Sequence, residues 1–393
     1  MIHGGRRSVL AGVVAVMAST AAVATAEDTV KVGVVVEMSG PFAPYGHQIT
    51  SGMRAYLKAH GDKVAGKRIE LVVKDTTGPA PDLAKRLAQE LVTRDHVQFL
   101  AGFGLTPNTM AVAPVATEAG VPMIVMNAAT SAITAKSPNI IRVSFTVPQV
   151  TAPIAGWAAK NKIKRVYTLV SDYAPGLDAE GTFKKVFAAN GGEVVGSLRV
   201  PLKNADFAPF VQRIKDAKPE AVFIFTPAGE TAVAFMKAFT ERGLDKAGIK
   251  LLATGDVTDD DVLDAMGDAA LGVITTHHYS AAHKSAENDA FKAAYAEVTR
   301  GKSRPNFMAV GGWDGMHLIF EVTRKLGGKI DGGQAVAAAK GMTIASPRGA
   351  IVIDAATRDV VQDVYVRKVQ KVDGKYVNVE FDKVAKVKDP GKP

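Results

Sequence analysis

Residues Phe99–Thr130 read FLAGFGLTPNTMAVAPVATEAGVPMIVMNAAT. Phe99–Phe103 is a short apolar run of strand length, and Met123–Met126 is another. Between them Thr109–Ala119 has the length and composition of a helix. A strand, a helix and a second strand in so short a span make a crossover between parallel strands. This unit sets the fold class as α/β.

The same rhythm runs outward on both sides. Upstream, Val30–Val36 is a β-branched run, Ile49–His60 carries Ile49, Met53, Tyr56 and Leu57 at helical spacing, and strand Ile69–Lys74 precedes helix Pro81–Thr93. Downstream, Ile141–Val143 is a further short strand. The pattern restarts at Pro148, with helices predicted at Val150–Asn161, Gly176–Asn190, Phe207–Ala217, Gly229–Arg242 and Asp259–Met266. Strands are predicted between them at Arg165–Val170, Glu193–Leu198, Ala221–Phe225 and Lys250–Ala253, then at Val273–Thr276. Helices Glu287–Arg300 and Ala309–Leu326 follow, then a β-rich tail at Arg348–Ile353, Val361–Val369 and Tyr376–Glu380. Two α/β units stand in tandem without a Gly/Ser tether. They predict a largely parallel sheet in each, several crossings of the chain and a cleft at a hinge.

The N-terminus predicts where the chain works. Arg6 and Arg7 precede an acid-free apolar run, Ser8–Ala26, which ends Ala24-Thr25-Ala26. That is the n-region, h-region and cleavage site of a secretory signal, giving residues 1–26 as leader and Glu27 as the mature start. The apolar core is shorter than the roughly 20 residues of a spanning helix. There is no cysteine, so disulfides, thiolate zinc sites and cysteine nucleophiles are excluded. The net charge of +9 is spread along the chain. Its densest stretches, Lys160–Arg165 and Lys383–Lys392, read as solvated faces or tails, and no basic surface interleaved with aromatics points to nucleic acid.

Three stretches carry a family resemblance. They are Val34–Gly46, VVVEMSGPFAPYG; Gly102–Thr130, within the stretch quoted first; and Ser346–Lys368, SPRGAIVIDAATRDVVQDVYVRK. In order and spacing they resemble the extracytoplasmic solute-binding proteins of branched-chain amino acid-type ABC transporters, the Leu/Ile/Val-binding family. The resemblance implies the type I periplasmic-binding fold: two Rossmann-like lobes, three hinge crossovers and a central ligand cleft. It implies a first lobe of residues 27–147 plus 278–347 and a second of 148–277 plus 348–393. It also implies a periplasmic monomer that binds a small carboxylate by lobe closure, without cofactor, metal or catalysis, and delivers it to a membrane permease.

Open α/β sheets bind ligands beyond the carboxyl ends of their strands, which locates the candidates. Gly104-Leu105-Thr106 precedes a helix whose N-terminal amides and dipole favour an anion. Ala128-Ala129-Thr130 offers small residues and a second hydroxyl. In relatives the positions of Thr106 and Thr130 hold the ligand carboxylate, whereas by residue type alone either threonine reads first as a helix cap. Tyr45 falls where relatives place an aromatic against the ligand. Phe103, Tyr173 and Phe307 are further aromatic candidates, Tyr173 the best of them.

The departure from the family concerns the ammonium. Amino-acid binders carry a glutamate where this chain has Gly255, followed by Asp256, and a tyrosine where it has Thr226-Pro227-Ala228, at Ala228. The expectation is a carboxylate without an α-amino group, with Gly255 and Ala228 making room for an aromatic ring. The alternative is an amino acid whose ammonium pairs with Asp256. His278, next to His277 and near His283, is a candidate donor. Adjacent strand histidines face opposite ways and do not share a metal. A secreted α/β enzyme is the competing class. Gly102-Phe103-Gly104 opens like a dinucleotide loop, but Pro107 stands at the third glycine, and there is no nucleophile elbow, P-loop or metal motif.

Overall fold

The computed structural model describes residues 1–3, 29–203 and 205–392. The leader's arginine pair, apolar run and cleavage site, and Glu27, lie outside them.

The first sheet is built from β1 (Thr29–Val36), β2 (Lys63–Val64), β3 (Lys67–Asp75), β4 (Phe99–Gly102), β5 (Met123–Val125) and β6 (Ile140–Arg142), in the order β2-β3-β1-β4-β5-β6. All its pairings are parallel except the short β2–β3 hairpin. Helices α1 (Ala43–His60), α2 (Pro81–Thr93) and α3 (Thr106–Ala119) cover its faces. Residues 99–102 are buried throughout, as a strand sandwiched between helices must be.

The second half begins with α4 (Val147–Lys160), whose start is fixed by a reciprocal cap. The Thr146 hydroxyl accepts from Gln149 N–H, and the Gln149 side chain accepts from Thr146 N–H. There follow β7 (Arg165–Ser171), α5 (Ala174–Ala189), β8 (Glu193–Val200), α6 (Ala208–Ala217), β9 (Ala221–Phe225), α7 (Glu230–Glu241), β10 (Lys250–Thr254), α8 (Leu263–Met266) and β11 (Ile274–His277). The chain then returns to the first lobe, where α9 (Ala286–Thr299) and α10 (Phe307–Lys325) pack on α1. After α11 (Gly332–Ala339) come β12 (Thr343–Ile344), β13 (Ile351–Ile353), β14 (Val360–Val372) and β15 (Lys375–Val387).

The second sheet runs β12-β13-β14-β11-β10-β9-β7-β8, with β15 paired to β14. It is parallel from β8 to β11 and antiparallel beyond. The two lobes are joined at three places: between β6 and α4, between β11 and α9, and between α11 and β12.

The tail departs from the sequence reading. Lys383–Lys392 is not a free solvated tail, because β15 continues to Val387 and Lys392 reaches back to Asp359 and Thr134. Asp359 in turn takes the Arg142 guanidinium at 2.7 Å, with both side chains buried. Lys383, Lys386 and Lys388 are exposed, as a solvated face requires, and only Lys392 turns in to the buried acid.

Candidate ligand cleft

The carboxyl ends of the strands meet between the lobes. β4 stops at Gly102 because Phe103 takes a left-handed φ of +66°. The chain then turns through Gly104 and Leu105 into α3. Two contacts hold this turn: Asn127 Nδ2 donates to Gly104 O at 2.7 Å, and Ala128 N–H donates to Phe103 O at 2.9 Å. Thr106 is the first residue of α3, and the cap position is Leu105, which offers no side-chain cap. The first-turn amides of a helix have no intrahelical partners. Pro107 has no N–H, so Thr106 and Asn108 are the donors at this end. The Thr106 Oγ1 is buried and has no hydrogen-bond partner among the described residues. A buried hydroxyl without a partner costs about 1–3 kcal/mol, so this one is placed for something other than folding.

A small cavity of about 20 Å³ lies against this turn. Its first-lobe wall is Tyr45, Gly104, Leu105, Thr106, Asn127, Ala128 and Ala129, with Phe145 from the first crossover. Its second-lobe wall is Tyr173, Pro175, Phe225 and Asp256. Tyr173 stacks on Phe225 with ring centroids 6.2 Å apart. Tyr45 reaches across the cleft, its hydroxyl 3.5 Å from Ala228 O. The cavity has room for about one water, against the roughly 150 Å³ that holds a benzene ring. The two lobes therefore stand close together here.

Two buried carboxyls flank the cavity. Asp256 lines it, accepts the Thr254 hydroxyl at 2.8 Å, and has its pKa pushed up to about 6 by burial. Glu37, at the end of β1, lies behind Gly104, with Oε2 only 2.1 Å from where a Cβ on that glycine would stand. Its Oε1 accepts from Asn108 Nδ2 at 2.9 Å, its Oε2 has no partner among the described residues, and burial raises its pKa to about 7.

Of the expected site residues, Tyr45, Gly104, Leu105, Thr106, Ala128, Ala129, Tyr173 and Asp256 meet at this cavity. Others do not. Phe103 points the opposite way, into the core with Val35, Leu100 and Ile133, because its left-handed backbone turns it from the cleft. Thr130 caps no helix. Its hydroxyl donates to Asp178 of α5 at 2.5 Å and its carbonyl accepts from Arg142, so it joins the lobes. Thr226 is buried at the end of β9 with its hydroxyl unpartnered, off the cavity wall. Ala228 lies on a larger cleft of about 470 Å³, with Phe42, Pro79 and Phe207. His278 and Phe307 form a layer behind Phe145, with ring centroids 4.8 and 5.8 Å from it.

Gly255 does not leave room for a ligand ring. A Cβ there would stand 2.1 Å from the Arg367 Nη2 and 2.1 Å from the His277 Cδ2, so guanidinium and imidazole fill the space. An ammonium at this place would meet a cation.

Sequence reasoning passed over Glu37, Asn127, Phe145, Pro175 and Phe225. Asn127 and Phe225 stood at strand ends it had already located. Glu37 carried a signal too, an acid directly after a β-branched run.

The comparisons agree with this architecture. The description of the periplasmic binding protein family matches residues 29–375. The chain belongs to that family. Leu/Ile/Val-binding protein homolog 6 of Brucella melitensis is 46% identical over 374 residues, covering 95% of this chain and 96% of the homologue. Among solved structures, an ABC transporter solute-binding protein from Rhodopseudomonas palustris BisB5, in complex with 3,4-dihydroxybenzoic acid, is 58% identical with a TM-score of 0.90. It covers 93% of this chain and 100% of its own. A second, from Rhodopseudomonas palustris HaA2 in complex with p-hydroxybenzoic acid, is 46% identical with a TM-score of 0.90, covering 93% of this chain and 99% of its own. This periplasmic binding protein thus shares its two-lobed fold with both.

Proposed function

We propose that this protein captures small aromatic carboxylates outside the cytoplasm, by lobe closure and without catalysis, for an ABC importer. The observation that carries the reading is the Thr106 hydroxyl, buried and unpartnered at the start of α3, with aromatic side chains on both walls beside it. Thr106 and the α3 amides hold the carboxylate. Tyr45, Phe145, Tyr173 and Phe225 hold the ring, as aromatic pairs do when offset or edge-on. The position that in amino-acid binders takes the ammonium is closed by Arg367 and His277. The ligands of the two Rhodopseudomonas proteins support the same class.

In this reading the chain is exported, mature from Glu27, monomeric, and delivers its ligand to a membrane permease. The lobes are residues 27–147 plus 278–347 and 148–277 plus 348–393, and they part at the three crossovers. Tyr45–Ala228 and Thr130–Asp178 break when they do. Isothermal titration of the purified protein with benzoate, 4-hydroxybenzoate and leucine tests the proposal. Binding of a benzoate and none of leucine is expected. Tight leucine binding abolished by Asp256→Asn would instead make Asp256 an ammonium partner and overturn the reading.

A further inference from the structure

We propose that Asp256 and His277 together form a hydroxyl-reading subsite on the second-lobe wall, which selects aromatic carboxylates bearing a ring hydroxyl away from the carboxylate. The inference rests on the aromatic-carboxylate reading and adds to it the residues that discriminate within that class.

The protonation pattern of His277 follows from its contacts. Its Nδ1 accepts the backbone N–H of His278 at 3.0 Å, so the ring proton sits on Nε2. Burial, together with the charges of Arg367 and Arg348, holds the ring neutral by lowering its pKa well below the usual histidine range. Nε2 is therefore an N–H donor, and it is buried without a partner among the described residues. It stands 4.0 Å from Asp256 Oδ2, too far for a hydrogen bond between them. Asp256 thus presents a carboxylate acceptor on the cavity wall, with the unused His277 donor 4.0 Å behind it.

Only a group that donates and accepts at once satisfies both. A phenolic hydroxyl does so, giving its proton to Asp256 and taking the His277 N–H on its oxygen. An ether oxygen only accepts, an ammonium only donates, and an unsubstituted ring edge does neither. Thr106 lies on the first-lobe wall and Asp256 on the second, so a ring between them presents the carboxylate to one and its far edge to the other. Gly255 makes the pair possible, since any side chain there would displace the His277 ring. The ring is further fixed by edge-on packing against Phe145 at 5.0 Å and by Phe307 at 4.4 Å.

The test is calorimetric titration of benzoate and 4-hydroxybenzoate into wild type, His277→Phe and Asp256→Asn, with melting temperatures to check folding. Wild type is expected to prefer 4-hydroxybenzoate about tenfold or more, the usual effect of a hydrogen bond to a charged group. Either variant is expected to cut that preference to about twofold or less by weakening 4-hydroxybenzoate more than it weakens benzoate. If His277→Phe does not fold, Asp256→Asn decides alone. Equal affinity of wild type for the two ligands, or an undiminished preference in the folded variants, overturns the subsite while leaving the aromatic-carboxylate reading intact. Binding of neither ligand by wild type overturns that reading, and this one with it.

Discussion

Replacing Thr106 with valine separates a ligand-binding hydroxyl from a structural one, because the two roles predict opposite signs. Valine keeps the shape and the β-branch and removes only Oγ1. In the free protein that oxygen is buried and has no partner. Its removal therefore costs the fold nothing and relieves an unsatisfied group, worth up to about 1 kcal/mol at the lower end of the usual range. The melting temperature of the free protein should hold or rise by about 2 °C. In the complex the same oxygen donates to a carboxylate. Hydrogen bonds to charged groups contribute about 1.5–3 kcal/mol, so the dissociation constant for a benzoate should rise by roughly 10- to 150-fold. Calorimetric titration with 4-hydroxybenzoate and scanning calorimetry of the free protein measure both quantities. An affinity within twofold of wild type, or a free protein that melts several degrees lower, refutes the assignment and makes Thr106 a part of the scaffold.

Other consequences concern closure, protons and the tail. Thr130→Val removes the hydroxyl that joins the loop after β5 to Asp178, so it should weaken every ligand alike by about threefold to tenfold and expand the free protein in small-angle scattering. A loss confined to one ligand would place Thr130 in the pocket instead. Glu37 keeps its proton in the folded chain up to about pH 7, while the unfolded chain releases it near 4.5. The native state is then penalised as pH rises through that window, by on the order of 3 kcal/mol. Asp256 and Asp314, both raised to about 6, add to the same slope. Glu37→Gln should therefore flatten the fall in melting temperature between pH 5 and 8, and an unchanged profile would contradict the burial argument. Asp359→Ala leaves the Arg142 guanidinium buried without its acid, which should cost about 3–5 kcal/mol in denaturant unfolding. A loss below 1 kcal/mol would mean the pair is not buried in solution.

The first α/β unit was legible because its signals are local. Buried strands at Phe99 and Met123 are apolar runs, and the turn between strand and helix lies at the strand's carboxyl end, so order located the segment of Thr106 while the family resemblance singled out its hydroxyl. The structure moves the helix start from Thr109 to Thr106, since Pro107 is tolerated in a first turn. What the sequence concealed was whatever depends on distant segments. Gly255 read as spare room because nothing nearby fills it. The group that does, Arg367, comes from β14, paired with β11 two strands' width from β10. Phe145, in the first crossover, and His277, the last residue of β11, meet only because the lobes are joined there. Phe103 looked like a cleft aromatic, and a single left-handed backbone angle sends it into the core. Thr130 read as a carboxylate donor, but its hydroxyl is taken by Asp178 on a helix of the other lobe, which no spacing reveals.

A crystal structure of the protein with 4-hydroxybenzoate tests the central claim most directly, because it fixes which end of the ligand meets which lobe. The account predicts the carboxylate within hydrogen-bond distance of the Thr106 hydroxyl and the α3 amides, the ring among Tyr45, Phe145 and Tyr173, and the phenol oxygen between Asp256 and His277 Nε2. A carboxylate facing Arg367 across Gly255, with the phenol at Thr106, would contradict it.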